Sequence, residues 1–136
     1  MTATFFLAPG LFGNRDERLD EAGFVLTEAE ARELAAHSVE LGAHTMYHPD
    51  VRDLGPDELA AELAESKRAI EELSGRKCDL LAWPFGLSDE PAQQVARDVG
   101  FEAAFSFSTG PWLRYAIPRQ PAGKLSAEEL PQYAAK

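Results

Sequence analysis

Four short and largely apolar runs, Thr4 to Ala8, Val39 to Ala43, Asp79 to Ala82 and Phe101 to Thr109, alternate with segments of helical spacing. Parallel strands can be joined only by long crossovers, so this alternation demands βα units and a mainly parallel sheet, open or curled into a barrel. Thr27 and Glu30 form the T-x-x-E pair of a capping box and open a helix that runs to about Ser38 with Ala31, Leu34 and Ala35 inward. Gly55-Pro56 opens a second helix, in which Leu59, Leu63, Ser66, Ile70 and Leu73 recur at helical spacing before Gly75 stops it. A third is expected to be capped by Ser88, to turn Ala92, Val95, Ala96 and Val99 inward, and to end at Gly100. In the last run Phe101, Ala103, Phe105 and Phe107 fall on one face, with Glu102, Ala104, Ser106 and Ser108 on the other.

The chain has 136 residues, 45% of them hydrophobic, which suits one domain with its own core. Thirteen Lys and Arg stand against 23 Asp and Glu, a formal charge of -10 with no basic cluster, which argues against a nucleic-acid partner. One cysteine, Cys78, excludes an intrachain disulfide and reads as a buried thiol. No apolar run is long enough to span a membrane, and the N-terminal run lacks the basic flank of a signal peptide, so a cytoplasmic product is expected. From Pro118 onward the composition turns to Pro, Ala and charge, and residues 120–136 read as a polar tail on a domain of residues 1–119.

In βα architectures the chemistry belongs on the loops that leave the carboxyl ends of the strands. Two distinctive segments fall there: His44-Thr45-Met46-Tyr47-His48-Pro49, and Trp83-Pro84-Phe85-Gly86. His44 and His48 can address one ion if their loop turns, but catalytic zinc normally takes three protein ligands plus water. Asp16, Asp20, Asp50 and Asp53 are available carboxylates, and spacing selects none of them. Tyr47 reads either as a groove residue or as a packed loop anchor, and Trp83 and Phe85 either as stacking surfaces or as caps on the core. His37 falls at a helix C-terminus, where a charged imidazole suits the dipole. Gly10-Leu11-Phe12-Gly13 lacks the spacing of a phosphate-cradling loop, which disfavours nucleotide chemistry.

Together the A-T-F-F piece at Ala3 to Phe6, the segment Val39 to Pro49 with its H-T-x-x-H-P, and L-A-W-P-F-G at Leu81 to Gly86 resemble the polysaccharide deacetylase family. This is the NodB-homology domain, or carbohydrate esterase family four. The likeness extends through the helix from Leu54 to Gly75, the strand at Phe101 and the segment Ile117-Pro118-Arg119. It implies a distorted (β/α) barrel that removes N- or O-acetyl groups from carbohydrates with a divalent metal, commonly zinc. By position His44 and His48 would be the metal histidines, and Tyr47, Trp83 and Phe85 would lie along the substrate groove. The oxyanion of the intermediate would face the metal and a backbone N–H near Tyr47.

The family also carries an Asp-Asp pair, in a T-F-D-D segment, on a strand before the one matched by Thr4 to Ala8, and this sequence begins after it. Ala82 stands where the family's R-x-P-Y segment has its arginine, and no late L-x-H segment appears. The expectation is an incomplete barrel with no catalytic residue of its own, weak metal binding and little turnover. Thr4 to Ala8 is then expected to be an exposed edge, to be covered by the tail, or to pair with a second copy. The alternative is a noncatalytic domain that binds carbohydrate or a partner.

Overall fold

The computed structural model describes residues 3–14, 25–37, 39–107 and 111–119. Five strands, β1 (Thr4–Leu7), β2 (Glu40–Ala43), β3 (Leu80–Ala82), β4 (Ala103–Ser106) and β5 (Ile117–Pro118), form one sheet in which neighbours are parallel. Three helices connect or flank them: α1 (Glu28–Ala36), α2 (Pro56–Ser74) and α3 (Glu90–Val99). The strand order is β1-β2-β3-β4-β5, the order of the sequence. Crossovers of one hand that always step the same way place every helix on one side, and a twisted sheet covered on one side curls around the other. The result is an arc of a (β/α) barrel.

Local chemistry sets the helix ends. At α1 the Thr27 N–H donates to the Glu30 carboxylate (2.8 Å) and the Glu30 N–H donates to Thr27 Oγ1 (3.3 Å), which completes the capping box. At α2 the Gly55 N–H donates to Glu58 (3.0 Å), Pro56 occupies the first turn, and Gly75 leaves the helix in the left-handed region. The cap of α3 is Asp89, whose carboxylate accepts from the Ala92 N–H (2.9 Å), and not Ser88. Pro91 explains the choice: a cap at Ser88 would put proline at the third helical position, from whose N–H a capping side chain accepts, whereas a cap at Asp89 puts Ala92 there.

The helices cover one face of the sheet. Leu41 and Ala43 of β2, Leu81 of β3 and Ala104 of β4 join Leu59, Leu63 and Ile70 of α2 and Ala92 and Ala96 of α3 in a single buried cluster. Cys78 lies in it, with burial pushing its thiol up to about 12, so it is an inert part of the core. Strand β4 is shorter than the run Phe101 to Thr109, and its better-buried face belongs to Ala104 and Ser106, while Phe107 is half exposed. Small side chains fit under the helices, and Phe105 turns the other way to meet Phe6 of β1, ring centroids 5.6 Å apart.

Among the described residues β1 pairs only with β2 and leaves one edge open. Residues 120–136, and with them any covering role of the tail, lie outside the described residues. Among the described residues no helix is long and apolar enough to cross a membrane.

Candidate functional site

Both loops foreseen as functional leave the carboxyl ends of neighbouring strands, β2 and β3. His44 follows β2 directly, and its N–H donates to the Leu7 carbonyl (2.9 Å), so its place is fixed by the sheet. Its Nδ1 lies 2.6 Å from the Ala82 carbonyl oxygen. A carbonyl can only accept, so Nδ1 carries the proton and the Nε2 lone pair is left for another electrophile. Burial holds the His44 pKa down, to about 4, against the opposing effect of the Ala82 carbonyl, and nearby His48 and Arg119 lower it further. The imidazole is therefore neutral at pH 7, the form a metal ligand requires.

The loop then turns to bring His48 back. Thr45 (φ 63°) and His48 (φ 58°) both occupy the left-handed region, which is costly for residues with a Cβ. Two side chains support the turn. Thr45 is fully buried, and its Oγ1 accepts from the His48 N–H (3.0 Å). Glu62, reaching up from α2, accepts from the N–H groups of Met46 (2.8 Å) and Tyr47 (3.1 Å). The outcome is that the rings of His44 and His48 meet edge to face, with centroids 4.7 Å apart. Both line a mostly apolar cavity of about 400 Å³ together with Phe6, Leu7, Leu11, Phe12 and Phe85.

Phe85 is the third non-glycine residue at positive φ (55°), and its ring packs on His48 at 4.8 Å between centroids with 48% of its surface exposed. Tyr47 is 58% exposed, with its ring lying so close to Gly10 that a Cβ there would come within 2.4 Å of it. Tyr47 and Phe85 both keep exposed ring surface, and of the two Phe85 lines the cavity. Trp83 is different, and corrects the expectation of a groove residue. It is fully buried, its indole N–H donates to the Tyr115 carbonyl (2.8 Å), and it has no face to offer a ligand. Of the backbone N–H groups near Tyr47, those of Met46 and Tyr47 itself are engaged by Glu62, because an α2 carboxylate lies within reach of the turn.

Asp50 is held by Arg52, with Oδ1 2.9 Å from Nε and Oδ2 2.7 Å from an Nη, and it caps the short turn Val51–Asp53. Asp16 and Asp20 lie outside the described residues. Among the described residues no group of three or more His, Cys, Asp or Glu side chains could hold a metal, so the two histidines have no third protein ligand there. Glu62, Thr45 and Arg119 had no assigned role in the sequence reading. Glu62 looks like any acid on a solvated helix face, and only its N–H partners set it apart.

A profile of the polysaccharide deacetylase family matches residues 1–104. The chain belongs to this family. Among its relatives is YxkH of Bacillus subtilis (strain 168), whose name places it among the polysaccharide deacetylases; it is 24% identical over 110 residues, which are 81% of this chain and 37% of YxkH. The fold matches the Streptococcus pyogenes deacetylase PplD, solved in complex with acetate, with a TM-score of 0.77 and 20% identity over 96% of this chain and 57% of that one. It also matches BC0361, a polysaccharide deacetylase from Bacillus cereus, with a TM-score of 0.74 and 19% identity over 99% of this chain and 42% of that one. A CE4 family pseudoenzyme from Bacillus anthracis, BA3943, is 25% identical with a TM-score of 0.59, over 76% of this chain and 32% of that one. The chain thus spans between about a third and three fifths of the length of these proteins.

Proposed function

We propose that this chain is the metal-histidine part of a carbohydrate deacetylase, with His44 and His48 as two ligands of a divalent ion, most naturally zinc. The observation that carries the reading is the pair of imidazoles meeting over one cavity, His44 with its Nδ1 proton committed to Ala82 and its Nε2 lone pair available. That is half the donor set of a zinc site: two imidazoles, of which His44 is neutral and oriented by the Ala82 carbonyl behind it. Such an ion, when bound, polarises an acyl carbonyl and lowers the pKa of water.

The chain's own residues hold and shape the site. Thr45 and Glu62 fix the turn that brings the histidines together. Phe6, Phe12 and Phe85 give the cavity a mostly apolar lining, which suits an acetyl methyl group. Phe85 presents an exposed ring at the cavity and Tyr47 a second one on the same loop as the histidines, surfaces on which a sugar can stack. Hydrolysis adds water to the acetyl carbon, breaks the C–N or C–O bond and releases acetate. The proton acceptor for that water, and the remaining ligand, come from outside the described residues. Residues 1–119 are read as the domain, with the open edge of β1 available to a further strand or a second copy.

Zinc content after dialysis, measured on wild type, His44→Ala and His48→Ala, tests the centre. Bound zinc that falls in both variants supports it, and zinc retained by both overturns it. Acetate release from N-acetylated and O-acetylated oligosaccharides tests the reaction. A second reading, a noncatalytic carbohydrate-binding domain, is favoured by the absence of a third ligand among the described residues and by the likeness to a CE4 pseudoenzyme. Saturable oligosaccharide binding without acetate release, weakened by Phe85→Ala, would select it.

A further inference from the structure

We propose that Arg119 is a carboxylate receptor on the concave side of the sheet, beside the histidine cavity. Arg119 follows β5, and its backbone N–H donates to the Ser106 carbonyl (2.7 Å), which fixes where its side chain starts. The guanidinium carbon lies 4.7 Å from the ring centroid of Phe107 and 5.8 Å from that of Phe6. Phe6 is itself a wall of the cavity that holds His44 and His48.

Among the described residues Arg119 has no carboxylate partner, and its Nε is buried with no acceptor. Burial lowers its pKa, the direction expected for a cation taken out of water without compensation. An arginine remains charged even so, and leaving the buried Nε–H of a half-buried guanidinium without an acceptor is costly. The two phenyl rings offset part of that cost through their negative faces, but they accept none of the five N–H bonds, which lie in the guanidinium plane. A planar fork of donors, walled by aromatic rings, is matched by a planar carboxylate of small size. Acyl hydrolysis releases such a group, and sugar acids carry one. The inference rests on the deacetylase reading only for the origin of the carboxylate, since binding needs neither a metal nor turnover.

The test is a titration of the full chain with sodium acetate, and separately with glucuronate, followed through the Nε–Hε resonance of Arg119 by proton–nitrogen NMR. The protein is first stripped of metal with EDTA and then dialysed into chelator-free, metal-free buffer, so that neither an ion nor the chelator competes for the site. Saturation by either is expected. Saturation by acetate alone assigns the acyl product, and by glucuronate alone a sugar acid. Arg119→Gln should weaken binding at least about tenfold, and Arg119→Lys, which keeps the charge without the fork, should weaken it less. A wild-type resonance that ignores both anions overturns the proposal. So does an affinity for the bound anion that is unchanged in both variants, read from the ring resonances of Phe6 and Phe107. Should acetate release fail while acetate still binds through Arg119, only the catalytic reading is lost.

Discussion

The two faces of the sheet are made of the same strands and have opposite characters. Toward the helices stand Leu41, Ala43, Leu81 and Ala104, all buried and apolar, with every strand position filled by what α2 and α3 leave room for. Toward the other side stand Phe6, Gly42, Phe105 and, just past the strand end, His44, with Phe107 and Arg119 nearby; rings, an imidazole and a guanidinium share incompletely covered space. Gly42 shows how closely that side is fitted, because a Cβ there would come within 2.6 Å of the Phe6 ring. One face spends its residues on stability. The other keeps polar groups at a cost in stability, and the three positive-φ residues other than glycine among the described residues, Thr45, His48 and Phe85, lie in the loops at its upper end.

The largest expected effect separates the faces directly. Leu63→Ala, at a fully buried position of α2, should lower the unfolding free energy by about 2–5 kcal/mol in urea titrations, because the cavity it leaves is walled by β2 and neighbouring helices. Phe105→Ala, on the concave side and only partly buried, should cost less despite the larger side chain. Equal losses would break the contrast.

Acid should act on the concave side first. His44 is neutral in the folded state down to about pH 4, whereas in the unfolded chain it protonates near its ordinary value of 6.5. The folded state therefore binds fewer protons between these values, and its stability falls as pH drops through that window and levels off below it. The contribution is on the order of 3 kcal/mol. In metal-free protein His44→Gln should flatten the dependence of unfolding free energy on pH between 6.5 and 4, and an unchanged slope would show that the ring is better solvated than its position implies.

How much of this was legible in the chain depends on the distance over which each residue finds its partner. The capping box of Thr27 and Glu30, the start at Pro56 and the stop at Gly75 are decided within a turn or two and were readable. Ser88 and Asp89 are both good caps, and only the position of Pro91 distinguishes them. The histidine pair was visible as spacing after a strand, but its orientation depends on Ala82, 38 residues away. Trp83 and Phe85 look alike in a W-P-F-G turn. Their opposite fates follow from the Tyr115 carbonyl, 32 residues on, which draws one indole inward. Glu62 and Arg119 carried no local signal, since the backbone N–H groups and rings they meet belong to distant segments.

Glu62 sharpens the comparison by joining the two faces: it is rooted on the stabilising helix and works on the functional loop. Glu62→Gln keeps the shape and removes the charge from two backbone hydrogen bonds, which should cost roughly 1–2 kcal/mol of stability. Zinc affinity should fall by about tenfold or more, as is typical when the support behind a metal ligand is loosened. Calorimetric zinc titration of the variant checks this. Lost stability with unchanged zinc affinity would make Glu62 a structural clamp alone.

The smallest effect is expected at Phe85, where two opposing contributions meet. Its φ of 55° costs a residue with a Cβ about 1 kcal/mol, a cost glycine does not incur. Against that, Phe85→Gly gives up the edge contact of its ring with His48, and glycine adds entropy to the unfolded chain. With 48% of the residue exposed the lost packing is modest, so the unfolding free energy should change by less than about 1 kcal/mol in either direction. Phe85→Ala removes the same ring while keeping the strained backbone, and should be the less stable of the two variants. That order, read from urea midpoints, isolates the backbone cost from the ring's contribution. If alanine proves as stable as glycine, the turn is not strained, and Phe85 holds its place by packing on His48 alone.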